Sequence, residues 1–284
     1  MAPLAQILAL LAMAMATTAV EEVTLDMAQG SFDDQYKGCA PAMNAKLPAL
    51  NRSDFEQNSL FAQAWPNATA EWQSRRSPVS PLSSPAQAIA LMAYTMNELK
   101  LYKKFNDAVR VAGNSSQEYR DNFHFKTLHF LLTQALVTLR QAPTGQCHNV
   151  YRGVSDYRFK AKPGDIVRFG QFSSASQSEI TAETYGNATV FQVYTCHGAE
   201  ISNFSKYPHE KEVLIPPFET FKVIKVSQEG ERARIQLRSN GTFSKYNCEW
   251  LKGDTTGQGV PRATFHLGGL LLATTALAVA TGIL

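Results

Sequence analysis

The feature that most constrains the fold is a change of period near Pro143. Before it, apolar residues recur at helical spacing. After it, short apolar runs are separated by Gly, Pro and Asn, as strands are. Helices first and strands afterwards predict an α+β domain, not an alternating α/β one.

In the first half, Ser53-Asp54-Phe55-Glu56 reads as a capping box with Ser53 as N-cap. The helix it opens runs through Phe61 and Trp65 toward Trp72, with Pro66 marking a break or restart. Residues 77–85 hold three prolines and four serines and predict a loop. Two long helices follow, over residues 86–112 and 117–140. His124 and His129 lie five apart on the second and share no face, which favours ordinary packing over a metal pair. In the second half, strand-like runs cover residues 149–154, 166–172, 189–196, 212–214, 218–226 and 233–238. The arm before Cys39 reads as irregular.

Several function classes drop out. No Gly-x-Gly-x-x-Gly opens a helix and no Walker loop occurs, which argues against a Rossmann or P-loop nucleotide site. A formal charge of +3 is too small to argue for nucleic acid. The four cysteines, Cys39, Cys147, Cys196 and Cys248, match no zinc spacing. In an oxidising compartment they predict two disulfides, with three connectivities open.

Both ends look like processing signals. Residues 4–16 form an apolar stretch followed by small residues, with cleavage expected after 16 or 19, although no Lys or Arg precedes Lys37. Residues 265–284 are apolar and uncharged apart from His266, and a polar spacer over 253–259 precedes them. The missing basic flank and the many small residues favour a removed glycosylphosphatidylinositol (GPI) signal over a membrane-spanning helix. Six glycosylation sequons, at Asn51, Asn67, Asn114, Asn187, Asn203 and Asn240, fit a surface or secreted chain. The expected organisation is a signal over 1–19, one catalytic domain over 20–256 and a removed tail over 257–284.

Three constellations carry chemistry. Arg152 sits inside the apolar run Val150-Tyr151-Arg152-Gly153-Val154 and needs a partner. Its guanidinium suits a phosphate or a carboxylate, and Gly153 permits close approach. Phe172-Ser173-Ser174-Ala175-Ser176 places hydroxyls at a strand end, without the Gly-x-Ser-x-Gly elbow of a nucleophile. Glu210-Lys211-Glu212 precedes the apolar Val213-Leu214-Ile215. On an extended segment, both carboxylates would face one way. Alone, the pair reads as solvated charge on a strand edge.

In this order and spacing, the three constellations resemble the arginine-specific ecto-ADP-ribosyltransferases, the vertebrate relatives of binary ADP-ribosylating toxins. Leu25-Asp26-Met27-Ala28 and Ser31-Phe32-Asp33-Asp34-Gln35-Tyr36 resemble the family's mature N-terminus. The resemblance implies a helical lobe against two packed β-sheets that bind NAD in a cleft. It implies the pairings Cys39–Cys248 and Cys147–Cys196. Arg152 would hold a phosphate or the nicotinamide-side ribose, and the Gly153 backbone would meet the nicotinamide amide. Ser174 would position Glu212. Glu212 would bond the ribose and stabilise the oxocarbenium-like state. Glu210 would engage the incoming guanidinium. Residues 202–209 would form the acceptor loop, with Tyr207 as an aromatic contact.

The implied activity is transfer of ADP-ribose from NAD to protein arginines, with no metal. The implied place is the outer face of the plasma membrane through a lipid anchor, or else secretion or the secretory lumen. Two alternatives stand beside it: an NAD glycohydrolase, and a catalytically silent binding protein on the same fold. Arg152, Ser174 and Glu212 together argue against the silent protein, and Glu210 argues against the hydrolase.

Overall fold

The computed structural model describes residues 20–76, 78–141 and 146–254. The expected signal segment and tail lie outside the described residues. The chain opens with β1 (Glu21–Thr24), followed by an arm to Cys39. Six helices come next: α1 (Ala40–Gln57), α2 (Ser59–Arg75), α3 (Pro85–Thr95), α4 (Leu101–Ala112), α5 (Ser116–Asn122) and α6 (Lys126–Gln141). The second half contains β2 (His148–Val154), β3 (Tyr157–Lys160), β4 (Ile166–Val167) and β5 (Ser173–Ser176). A short α7 (Glu179–Glu183) leads to β6 (Thr189–Thr195) and β7 (Ala199–Glu200). Then come β8 (Glu212–Ile215), β9 (Glu219–Glu229), β10 (Arg232–Thr242) and α8 (Glu249–Asp254). The α+β division expected from the change of period is present.

Helix boundaries depart from expectation in four places. Ser53 caps nothing, because α1 runs through it. Asn58 takes the cap of α2 instead, accepting from Phe61 N at 3.0 Å. Asp54, expected beside the cap, is buried and accepts from Thr127 N at 2.8 Å, so it caps α6 across the lobe. Helix α2 continues through Pro66 without a break.

The two long helices expected over 86–112 and 117–140 are each broken. The first breaks at residues 96–100, where Met96 is extended and Lys100 adopts φ +50°. The second breaks at residues 123–125. There Lys126 Nζ donates to Arg120 O and Phe123 O, satisfying carbonyls that the end of α5 leaves free. Tertiary contacts override local periodicity at both breaks.

The strands form the order β4-β9-β10-β6-β2-β5-β8-β7. β10 and β6 run parallel and the other neighbours antiparallel. β1 and β3 make a separate parallel pair. One residue pair, Tyr151 with Ser176, joins β2 to β5. The order therefore divides into a five-stranded and a three-stranded sheet. Both contribute to one core: Val150, Phe191 and Leu237 from the larger meet Ala175, Val213 and Ile215 from the smaller. A second core fills the helical lobe and takes in Phe172, Phe204 and Leu214. The smaller sheet is thus wedged between the lobe and the larger sheet.

The cysteines pair Cys39–Cys248 and Cys147–Cys196, as the resemblance implied. The first bridge closes a separation of 209 residues. On a chain-entropy basis that contributes on the order of 5 kcal/mol. Five of the six sequon asparagines are exposed. Asn51 is half-buried inside α1 and its Oδ1 is shut from solvent without a partner.

The arm is held by a fully buried ion pair between Arg168 and Asp33, at 2.6 Å. Arg168 also donates to the carbonyls of Met27, Ala28 and Phe243. Removing one partner of a buried pair leaves the other uncompensated. Asp33→Ala is expected to lower unfolding free energy by about 3–5 kcal/mol. Urea denaturation with disulfides intact checks this, and a loss near zero would contradict the assigned role.

Candidate active site

A cleft of about 820 Å³ opens between the helical lobe, the arm and the two sheets. Its wall includes Arg152, Gly153, Ser174, Glu210 and Glu212, and Tyr207 of the expected acceptor loop. The structure therefore gathers every candidate catalytic residue into one place.

Arg152 enters from β2. Its Nη1 donates to Ser174 O at 2.7 Å, tying the larger sheet to the smaller beside their single-pair joint. Burial pushes its pKa down, while Tyr94 and Glu212 hold it up. Gly153 is required by packing: a Cβ there would lie 2.2 Å from Gly186 O and 2.3 Å from Ala182 O. The backbone of α7 and its following turn occupies that space.

Ser174 belongs to β5, opposite Leu214 in register, while Ser176 sits opposite Glu212. Ser176 supports the neighbouring turn. Its Oγ donates to Glu210 O at 2.7 Å and accepts from Ser178 N at 2.9 Å.

The two glutamates do not share a strand. Glu210 ends a 3-10 turn (Pro208–Glu210), Lys211 adopts φ +47°, and Glu212 is the first residue of β8. The left-handed residue between them, not an extended segment, lets both carboxylates reach the cleft. Their environments differ. Glu212 is buried, and Ser205 Oγ donates to its Oε2 at 3.3 Å. Burial pushes the Glu212 pKa up to about 7, against the pull of Ser174, Ser205 and Arg152 and with the push of Glu210. Glu210 sits at the rim and accepts from the Tyr185 hydroxyl.

Sequence reasoning missed several supports. Tyr94 at the end of α3 donates to Phe172 O at 2.9 Å. Asn106 on α4 reaches both Tyr94 Oη and Phe172 O. Together they fix the residue before β5, and burial raises the Tyr94 pKa to about 12. Arg75 on α2 donates to Ser205 O and Lys206 O, holding the segment expected to be the acceptor loop. Nothing in the local pattern marks these residues, because each acts through a contact far along the chain. His129 is a packing residue. It is fully buried, bonded to Tyr36 Oη and Phe32 O, and kept neutral by burial with a pKa near about 3.

A sequence model of the family described as NAD:arginine ADP-ribosyltransferase matches residues 25–245. The chain belongs to that family. It is 51% identical over 238 residues to the erythroblast NAD(P)(+)–arginine ADP-ribosyltransferase of Gallus gallus, covering 82% of this chain and 78% of the relative. It is 48% identical over 249 residues to the GPI-linked NAD(P)(+)–arginine ADP-ribosyltransferase 1 of Homo sapiens, covering 82% and 76%. Its fold is similar to the crystal structure of the eucaryotic mono-ADP-ribosyltransferase ART2.2, with TM-score 0.67 and 35% identity, over 80% of this chain and 98% of that one. A variant of ART2.2 in complex with NAD matches equally well, with TM-score 0.67 and 34% identity over the same shares. For a member of this family, NAD is a substrate, not a resident cofactor.

The raised pKa of Glu212 sets a pH dependence. The folded protein holds a proton that the unfolded chain releases near pH 4.5, so this group's contribution to stability falls as pH rises from about 4.5 to about 7 and is constant above. Glu212→Gln removes that loss and is expected to raise the unfolding temperature more at pH 8 than at pH 5. The effect is bounded at about 3 kcal/mol by the shift. Scanning calorimetry at both pH values checks it, and an equal change at both would contradict the burial argument.

Proposed function

We propose that the cleft transfers ADP-ribose from NAD to arginines of surface or secreted proteins, with Glu212 serving the donor and Glu210 the acceptor. The observation that carries this division is the contrast between the two carboxylates. Glu212 is buried beside Arg152, Ser174 and Ser205, whereas Glu210 stands at the cleft rim.

NAD would lie with phosphate or ribose on Arg152 and its nicotinamide amide on the Gly153 backbone. The bond between the sugar carbon and the nicotinamide nitrogen breaks, and its electron pair leaves with nicotinamide. Positive charge then develops on the sugar. A fixed, ionised Glu212 in a desolvated site stabilises that charge and bonds the ribose hydroxyl. Ser174 and Ser205 hold the carboxylate in place. A guanidinium nitrogen then forms the new bond to the sugar carbon. Protonated arginine is a poor nucleophile, since its pKa exceeds about 12. Glu210 aligns the guanidinium and takes the proton released as the bond forms.

The family relatives named as GPI-linked support lipid anchorage of this chain on the outer face of the plasma membrane. Among the described residues no helix is long and apolar enough to cross a membrane. Anchorage predicts that a phosphatidylinositol-specific phospholipase releases the full-length expressed protein from cells. Retention after treatment would overturn it.

With NAD and agmatine, wild type is expected to yield both nicotinamide and ADP-ribosyl-agmatine. A hydrolase would yield nicotinamide alone, and a silent protein neither. Glu212→Gln is expected to lower nicotinamide release and transfer together, by about 10²–10³-fold. Glu210→Gln is expected to lose transfer and keep nicotinamide release. Equal loss of both activities in the second variant would contradict the division of labour. The kcat/KM for nicotinamide release from NAD is expected to rise with pH through about 7, as Glu212 ionises.

A further inference from the structure

Tyr185 lies in the turn after α7. It lines the cleft, is 51% exposed, and donates its hydroxyl to Glu210 Oε1. Such an exposed ring adds little to the core, and among the described residues its hydroxyl donates to that carboxylate.

Both ends of this contact rise from anchored backbone. On the tyrosine side, Arg232 pairs with Glu183 at 2.8 Å and Arg234 with Glu179 at 2.5 Å, anchoring α7 to β10. Tyr185 N donates to Ala182 O, and Gly186 lies so close to the end of β2 that a Cβ would meet Ser155 N at 2.1 Å. On the glutamate side, Ser176 Oγ holds Glu210 O, and Glu210 N donates to Tyr207 O at 3.1 Å. The remaining freedom lies in the two side chains, which the hydrogen bond between them restricts.

A glutamate at a cleft rim has several rotamers and a broad terminal torsion. A phenol donating to one oxygen selects among them. It does not use up the group, because a carboxylate offers about four lone-pair positions. The other oxygen and the rest of the first stay open to a guanidinium, which pairs best through two parallel N–H bonds.

We propose that Tyr185 is a positioning residue for the arginine acceptor: its hydroxyl fixes the Glu210 carboxylate in the orientation that receives the guanidinium. This rests on the transferase reading above. In this role Tyr185 acts through Glu210. The turn that packs on the Arg152 strand thereby reaches the acceptor carboxylate.

The test is Tyr185→Phe, which keeps the ring and removes the hydroxyl. With NAD and agmatine, the ratio of transfer to hydrolysis is expected to fall roughly tenfold, mainly through a higher KM for agmatine, the size expected for a hydrogen bond to a charged group. In a Glu210→Asp background, whose shorter side chain no longer reaches the phenol, the same substitution is expected to add nothing. Unchanged agmatine kinetics in Tyr185→Phe, equal loss of transfer and hydrolysis, or an additive effect with Glu210→Asp would each overturn the proposal. A wild-type protein that forms no ADP-ribosyl-agmatine overturns the transferase reading and this inference together. A transferring wild type whose Tyr185→Phe variant keeps the ratio overturns this inference alone.

Discussion

The buried pair of Arg168 and Asp33 is the contact on which the cleft depends. Both side chains are wholly shut from solvent. Neither charge is left alone. Arg168 spends its other donors on carbonyls of the arm and of Phe243, and Asp33 accepts from the backbone N–H groups of Lys245 and Tyr246. A buried ion pair survives only with such full satisfaction. Its geometric effect is to bind three distant segments: the arm, the residues after β4, and the chain after β10. Leu25, Asp26 and Ala28 of that arm line the cleft. A wall with little regular structure of its own is made rigid by one polar node.

The break in the first of the two long helices serves the same cleft. A continuous helix over 86–112 would carry Tyr94 and Asn106 twelve residues apart along one axis, about 18 Å at helical rise. The turn at Lys100 folds them onto a single carbonyl, that of Phe172. That carbonyl precedes Ser173 and Ser174, so the helical lobe sets where the serine strand begins. Ser174 in turn accepts from Arg152 and faces Glu212. Lobe, small sheet and large sheet are thus coupled through a few hydrogen bonds around one short strand.

How much of this was legible follows from range. Arg152, Ser174, Glu210 and Glu212 were legible because order and spacing along the chain carry a family resemblance. Most strands of the second half were legible, since β-branched runs between turns are local signals, but β3 and β7 were not, and the run over 166–172 is a strand only at Ile166–Val167. The helix ends were less so. Ser53 satisfied the local rule for a cap, yet Asn58 took the cap and Asp54 capped another helix. The extended-segment geometry of the glutamate pair failed for a single residue, Lys211, whose positive φ no lysine announces. Tyr185 was invisible for a different reason. It meets Glu210 only because the two sheets fold over one core, and that packing has no signature in either local stretch.

The partners of the arm have an order in time. Asp33 and Asp34 are satisfied by backbone from Lys245 to Glu249, and Cys39 by Cys248. During synthesis those residues leave the ribosome long after the helical lobe and after Arg152, Ser174, Glu210 and Glu212. Until they arrive, the arm lacks the contacts that Lys245 to Glu249 supply and is held by Arg168 and the helical lobe. A nascent chain therefore carries Arg152, Ser174, Glu210 and Glu212 before the segment that completes the hold on the arm, and the cleft gains its final rigidity only when residues 245–249 close on residues 33–39.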